Sequence, residues 1–205
     1  MQPTQDLLSD PGCEQLVLID GEVSLWRSPD LGQAAQALLK KLIESTEWRQ
    51  ERITVYGKPY LQPRLSAWYG DLSYAYSGIN MQPQPWTPLL NEIRSGIESL
   101  LGHSFNSVLL NYYRDENDSM GMHSDNESEL GEQPLIASLS LGDERVFLLR
   151  HRTRKDLKTI KLPLPSGSLL VMAGKTQSHW RHGIARERQP CGPRVNLTFR
   201  RVIEK

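Results

Sequence analysis

Two residues apart in the middle of the chain, His123 and Asp125 offer an imidazole and a carboxylate within the polar stretch from Asn111 to Glu127. In an extended segment the side chains at i and i+2 lie on one face, so the pair could grip a single ion. A second, distant histidine would complete two imidazoles and one carboxylate, a set that leaves one side of an Fe(II) ion open for substrate and oxygen. The plainer alternative is a polar loop carrying a solvated histidine.

A second constellation lies near the C-terminus. Along Pro193–Arg200, Arg194, Asn196, Thr198 and Arg200 share one face of an expected strand, and Val195, Leu197 and Phe199 share the other. If the polar face meets water, the two arginines are simply solvated. If it lines a cavity, two planar guanidinium forks could hold a dicarboxylate. For the third metal ligand four histidines remain. His103 follows a helix stop and His151 sits in a basic run, so both read as surface residues. His179 and His182 flank Trp180-Arg181 in an expected strand over 177–184. Three apart, they face opposite ways, so one of them can be the ligand, and spacing does not choose between them.

The elements that must position these groups follow from hydrophobic patterning. Leu16–Ile19, a turn at Asp20-Gly21, and Glu22–Trp26 predict a hairpin. Ser28-Pro29-Asp30 predicts the start of a helix running to about Trp48, with Leu31, Ala34, Ala35, Leu38, Leu42 and Ile43 on one face. From Ile53 to Ser77 the chain is rich in Tyr and Trp with Gly and Pro between, which suits a rim or lid presenting flat rings; tyrosines that merely cover a core are the alternative. Thr87 as cap, Pro88 at the first position and Gly102 as stop bound a second helix, buried along Leu90, Ile93, Ile97 and Leu101. Beyond it, short strands are expected near 107–113, 122–125, 135–141, 145–150, 157–164, 168–172, 177–184 and 194–202. Many short strands without intervening helices argue for a mainly β, α+β chain whose strands form a sandwich or barrel-like roll, with the two helices against one outer face.

Composition narrows the classes. At 205 residues with 38% hydrophobic and 23% charged, one domain with a sizeable core is expected over residues 16–205, after a loose arm over residues 1–15. No apolar run approaches the ~18 residues of a membrane span, and the polar opening Met1–Asp6 does not resemble a signal peptide. Cys13 and Cys191, far apart and outside any CxxC pair, suggest a reducing compartment, hence a cytoplasmic protein, or a nuclear one in a eukaryote. Basic and acidic residues balance at 24 each, yet Arg150, Arg152, Arg154, Lys155, Lys158 and Lys161 cluster against a single Asp156. Such a local patch can hold a phosphate backbone at zero net charge; a solvated hairpin tip is the alternative.

Taken together, Asn111-x-Tyr113, His123-x-Asp125, Trp180-x-His182 and Pro193–Arg200 resemble the AlkB family of Fe(II)/2-oxoglutarate dioxygenases, nearest to the branch that repairs alkylated DNA bases. The resemblance covers roughly Ile53 to Val202, including Ile136–Gly142 and Gly167–Leu170. It implies a double-stranded β-helix (jelly roll) over about 105–205, with a nucleotide-recognition lid over about 50–80. It selects His182 as the third ligand beside His123 and Asp125. It assigns Arg194 and Arg200 to 2-oxoglutarate, with Asn111, Tyr113 and Asn196 as hydrogen-bonding partners. Fe(II), 2-oxoglutarate and O2 would then be the cofactor and co-substrates. Tyr56 would stand at the tip of a hairpin pushed into the base stack, where a more apolar ring is usual. Arg64 would contact phosphate or base, Tyr74 and Tyr76 would border a flipped base, and Glu127 would sit near its exocyclic nitrogen. The implied activity is oxidative demethylation of 1-methyladenine and 3-methylcytosine in single- or double-stranded DNA by a monomer, releasing formaldehyde, succinate and CO2. RNA, protein or small-molecule substrates, a binding module without turnover, and a zinc hydrolase are the competing expectations.

Overall fold

Pairing of Cys13–Leu18 (β1) with Gly21–Trp26 (β2) begins the described chain; the computed structural model describes residues 12–55, 58–71, 74–76, 79–81 and 83–203. Leu18 faces Gly21, so the two-residue turn is Ile19-Asp20, one position earlier than expected, with Asp20 at φ 54°. Aspartate tolerates this left-handed position better than most side chains. Cys13–Gln15 belong to the strand, so the expected loose arm ends before them, and residues 1–11 lie outside the description.

The first helix, Ala35–Ser45 (α1), starts later and ends earlier than its apolar pattern predicts. Gly32 at φ 77° accounts for the late start, because Asp30 Oδ1 accepts its N–H and closes a turn in place of a cap. Leu38, Leu39 and Leu42 face inward, and the helix packs on two strands of the main sheet. The second helix, Pro88–Leu101 (α2), forms as its sequence dictates. Thr87 accepts the Leu90 N–H at 3.2 Å, Gly102 ends the helix at φ 61°, and all four expected apolar residues are buried.

The aromatic stretch divides. Arg52–Val55 (β3) and Lys58–Leu61 (β4) pair as a hairpin, and Tyr74–Tyr76 (β6) pairs with Ile79–Met81 (β7). Between them Leu65–Gly70 (β5) joins the main sheet, burying Trp68 and Tyr69, so this part is core rather than lid.

The remaining strands are Ser107–Tyr113 (β8), Met120–His123 (β9), Ile136–Gly142 (β10), Arg145–His151 (β11), Ile160–Leu164 (β12), Leu169–Ala173 (β13), Trp180–Ile184 (β14) and Arg194–Arg200 (β15). They form a seven-stranded sheet in the order β1-β2-β13-β10-β15-β8-β5 and a four-stranded sheet in the order β12-β11-β14-β9, with antiparallel pairing throughout. The apolar face of β15 (Val195, Leu197, Phe199) packs into the core beneath the helices. At about 1.5–3 kcal/mol for each large apolar side chain, this burial makes β15 a principal anchor of the sheet. Its polar face looks the other way, toward the smaller sheet.

The segment expected as a strand over 177–184 differs. Thr176–His179 is a helical turn (α3), and β14 begins only at Trp180. Trp180 fixes that start, its Nε1–H donating at 2.9 Å to Ile19 O of the first hairpin. His151 is also misplaced by the sequence: it is buried, and its Nδ1 accepts the N–H groups of Thr153 and Arg154, holding the start of the β11–β12 loop.

Candidate active site

β9 and β14 are neighbours, and the register places His123 directly opposite His182. Just beyond, the ladder slips at Ile184, where Gly183 allows the close approach: a Cβ there would stand 2.8 Å from Met120 O. Asp125 lies two residues past His123 on the outgoing loop, held by its N–H donating to buried Gln177 at 3.0 Å. The result is a cluster in which one ligand atom each from His123, Asp125 and His182 lies within 4.8 Å of the others. The imidazole rings are 4.3 Å apart, and His123 Nε2 is 3.5 Å from Asp125 Oδ1.

The donor set is prepared for a cation. His123 Nδ1 lies 2.9 Å from Gly121 O, so it carries the proton and leaves the Nε2 lone pair facing the cluster. Asp125 is fully buried; Oδ2 takes two hydrogen bonds from Arg200, at 2.7 and 3.1 Å, while Oδ1 has no hydrogen-bond partner. A buried anionic oxygen without a donor is costly unless a ligand answers it. Burial alone would raise this carboxyl, but Arg200, His182 and His123 outweigh it and hold it well below the usual carboxylate range. His182 stacks on Phe147, and burial, then the neighbouring His123, push it down to about 3. The His182 lone pair is therefore not masked by a proton at neutral pH, as metal binding requires.

Facing this cluster across the space between the sheets is the polar side of β15, with Asn111 and Tyr113 of β8 beside it. Arg194 and Arg200 are each 2% exposed, so the solvated alternative does not hold. Arg194 donates from Nη2 to Ser140 Oγ at 2.9 Å and stands 5.1 Å over the Tyr113 ring, yet its Nε and Nη1 are buried without hydrogen-bond partners. Unanswered N–H donors and a positive charge lining a cavity suit a carboxylate. Arg200 spends two donors on Asp125, which ties one arginine to the metal cluster and leaves the other to the far end. Asn196 is committed as well. Its Nδ2 donates to Ser138 Oγ and Leu139 O, and its Oδ1 accepts from Thr198, so it braces the wall. Asn111 accepts from Arg64 at 2.7 Å through Oδ1, and among the described residues its Nδ2 has no hydrogen-bond partner.

The residues expected against a nucleobase are less gathered. Arg64 is 4% exposed and inside the protein. Glu127 lies on the loop after Asp125, with Oε2 buried and unpartnered. The backbones of Tyr74 and Tyr76 form β6, and Tyr56 lies outside the described residues. Tyr60 and Leu61 of β4 are about half exposed. Three contributors escaped the sequence pattern: Gln177 behind Asp125, Phe147 beneath His182, and Arg145. Arg145, entirely buried, donates to Asp118 O and Ala185 O and lies 5.7 Å from the Tyr113 ring. Phe147 lies in the unbroken apolar run Val146–Leu149, which has no period to single it out, and Gln177 and Arg145 carry no such signal either.

The chain is similar to known proteins. The family model described as the 2OG-Fe(II) oxygenase superfamily matches residues 25–200. Alpha-ketoglutarate-dependent dioxygenase alkB homolog 3 of Mus musculus is 42% identical over 203 residues, spanning 95% of this chain and 68% of that protein. Its Homo sapiens counterpart is 41% identical over the same shares. DNA oxidative demethylase ALKBH2 of Homo sapiens is 39% identical over 173 residues, 80% of this chain and 66% of that one. Among solved structures, OsALKBH1 matches with a TM-score of 0.62 at 19% identity, over 92% of this chain and 100% of that one. An oxidoreductase of the 2OG-Fe(II) oxygenase family from Burkholderia pseudomallei matches at 0.58 and 14%, over 87% of this chain and 84% of that one. The last two bear on the fold alone. With a His-Asp-His cluster facing an arginine-lined cavity inside the matched region, this chain belongs to the 2OG-Fe(II) oxygenase superfamily, as an AlkB-family dioxygenase that uses Fe(II), 2-oxoglutarate and O2.

Proposed function

We propose that this chain demethylates N-alkylated bases in DNA, with 1-methyladenine and 3-methylcytosine as substrates and formaldehyde, succinate and CO2 as products. One observation carries it: the His-Asp-His cluster and the Arg194 guanidinium, with N–H groups lacking acceptors, lie in a chain 39% identical to a DNA oxidative demethylase over 80% of this chain.

In this reading His123, Asp125 and His182 hold Fe(II). The bound metal supplies oxidation coupled to decarboxylation of 2-oxoglutarate. Everything else falls to the protein. Arg194 takes the distal carboxylate, its guanidinium gaining an acceptor it lacks. Asn111 Nδ2 and Tyr113 orient the co-substrate along β8. Arg200 neutralises Asp125 and borders the metal-proximal end, while Asn196 keeps the wall rigid. The β-sheet walls exclude water from the reacting centre.

A base within a duplex cannot reach a cavity between two sheets, so it must be flipped out; methylation of a pairing nitrogen lowers the cost by removing the pair. In this reading Tyr56 enters the base stack, and Tyr74 and Tyr76 border the extruded base. Glu127, with an oxygen that lacks a donor, favours a base made cationic by methylation. Phosphates meet the outer face of the smaller sheet, where Arg150 and Arg181 are exposed and directly opposed across β11 and β14. Like charges so placed repel, and a polyanion would relieve them. The protein acts as a monomer in the cytoplasm, or the nucleus of a eukaryote; among the described residues no helix is long and apolar enough to cross a membrane.

The test is formaldehyde release from single- and double-stranded DNA carrying 1-methyladenine, with matched RNA and a methylated peptide alongside and His123→Ala as control. Release from DNA, abolished in the variant, is expected. Turnover of RNA or peptide alone sinks the DNA assignment, and equal release by His123→Ala sinks the enzymatic one.

A further inference from the structure

Arg64 is a cation in an unexpected place. It follows the β3–β4 hairpin after only Gln62 and Pro63, yet its side chain is 4% exposed and turned into the protein. Its Nε donates to Asn111 Oδ1 at 2.7 Å and its Nη1 to Ser119 O at 3.4 Å. The neighbouring Pro63 O accepts the Ser119 N–H at 2.8 Å, so this short segment grips Ser119 from both sides, one residue before the strand that carries His123. Among the described residues no carboxylate pairs with Arg64.

Consider what this does to Asn111. A carboxamide has one acceptor end and one donor end, and a guanidinium can only donate. A short bond from Arg64 therefore fixes which end of the amide faces away. Oδ1 is turned toward Arg64, and Nδ2, a donor, is left for the cavity that Asn111 lines with Arg194 and Arg200. Asn196, across the β8–β15 ladder from Asn111, cannot offer this, since both its amide hydrogens are spent within the protein. Without Arg64 nothing described holds the Asn111 amide in one sense, and half of its orientations would present an acceptor to an anion.

We infer that Arg64 is a positioning residue for 2-oxoglutarate, acting through the Asn111 carboxamide, and not a contact to nucleic acid. This rests on the proposed 2-oxoglutarate site and goes beyond it.

The experiment is a double-mutant cycle read by co-substrate binding. Anaerobic Fe(II)-loaded protein is titrated with 2-oxoglutarate, following the visible charge-transfer band, for the wild type, Arg64→Gln, Asn111→Ala and the double variant. Arg64→Gln should weaken 2-oxoglutarate binding by about 10-fold, the scale of one hydrogen bond to a charged partner. In the Asn111→Ala background the same change should weaken it less than twofold. Steady-state turnover should show the split: a raised KM for 2-oxoglutarate, with kcat and the KM for methylated oligonucleotide within about twofold. An effect confined to the oligonucleotide KM, or equal losses in both backgrounds, overturns the inference. Should Arg64→Gln not fold, Asn111→Asp takes its place. It keeps an acceptor for Arg64 and removes the amide donor, so binding should fall by at least 10-fold at an unchanged melting temperature, and unaltered binding overturns the inference. Failure of the wild type to bind 2-oxoglutarate would instead strike the site reading itself.

Discussion

Replacing Arg194 with Met should make the ligand-free protein more stable and its co-substrate binding much weaker. The two effects have one origin. Arg194 is 2% exposed and donates to Ser140, while two of its nitrogens have no hydrogen-bond partner. Burial pushes its pKa down, though a guanidinium stays charged. Exchanging buried ionic groups for apolar side chains of similar volume commonly stabilises by about 1–4 kcal/mol. The orphaned Ser140 hydroxyl returns about 1 kcal/mol of that, so the net gain is about 0–3 kcal/mol, or up to roughly 10 °C in a domain of this size. Adding Ser140→Ala should recover the remainder. Toward 2-oxoglutarate, losing one partner of a desolvated charge pair costs about 2–5 kcal/mol, roughly 30-fold to several-thousand-fold in affinity. Thermal melting and calorimetric titration of the metal-loaded protein measure both. The wild type should gain about 2.7 kcal/mol at a hundredfold excess over Kd, and Arg194→Met nothing at that concentration. A variant that melts lower than the wild type by several degrees while binding 2-oxoglutarate unchanged would refute the reasoning.

Other outcomes follow from the same geometry. Asp125→Ala should destabilise the metal-free protein by about 3–5 kcal/mol, because it strands Arg200 in the interior; His123→Ala should cost far less in urea denaturation, though both lose metal. Equal melting of the two would contradict the pairing. With His182 lowered to about 3 from an ordinary 6.5, the unfolded chain binds that proton first, so stability is full above pH 6.5 and falls as pH drops toward 3. The slope reaches about 1.4 kcal/mol per pH unit, and Asp125 adds to it below pH 3.8. In His182→Gln the loss between pH 6.5 and 4.5 should largely vanish, and persistence of the slope assigns it elsewhere. Gly183→Ala drives a methyl against Met120 O and should weaken metal binding at least 10-fold in a competition assay, with Gly121→Ala, where space is open, as the silent control.

The sequence was most legible where one local rule acted alone. Thr87, Pro88 and Gly102 bound α2 because cap, entry and exit each depend on the backbone nearby. β15 declared both its faces by strict alternation, and tertiary packing only decided that the polar one looks into a cavity. His123 and Asp125 were visible as a pair, whereas choosing His182 over His179 needed family likeness. The structure gives a physical reason that strand periodicity could not, since His179 belongs to a helical turn. Illegible features arise from distant partners. Asp30 and Gly32 divert the start of α1 into a turn. His151 is drawn inward to hold the start of the β11–β12 loop, which its basic neighbours conceal. β5 is recruited by β8, so Trp68 and Tyr69 left the aromatic rim for the core. That Asn196 is saturated and Asn111 is oriented depends on side chains 58 and 47 residues away, beyond any local period.

The opposition of His123 and His182 across a ladder has a mechanical corollary. β9 is four residues long and closes one edge of its sheet, so few inter-strand bonds hold it in place. Sliding it by a single pleat would break few contacts yet turn the imidazole outward and erase the metal grip. The fastening must come from outside the ladder, and it does: Pro63 latches Ser119, and Arg145 reaches across to Asp118. Length changes in the loop ahead of β9 should therefore abolish the enzyme while the barrel walls stand. The same insertion at the tip of the β11–β12 hairpin, where no ligand depends on alignment, should pass almost unnoticed.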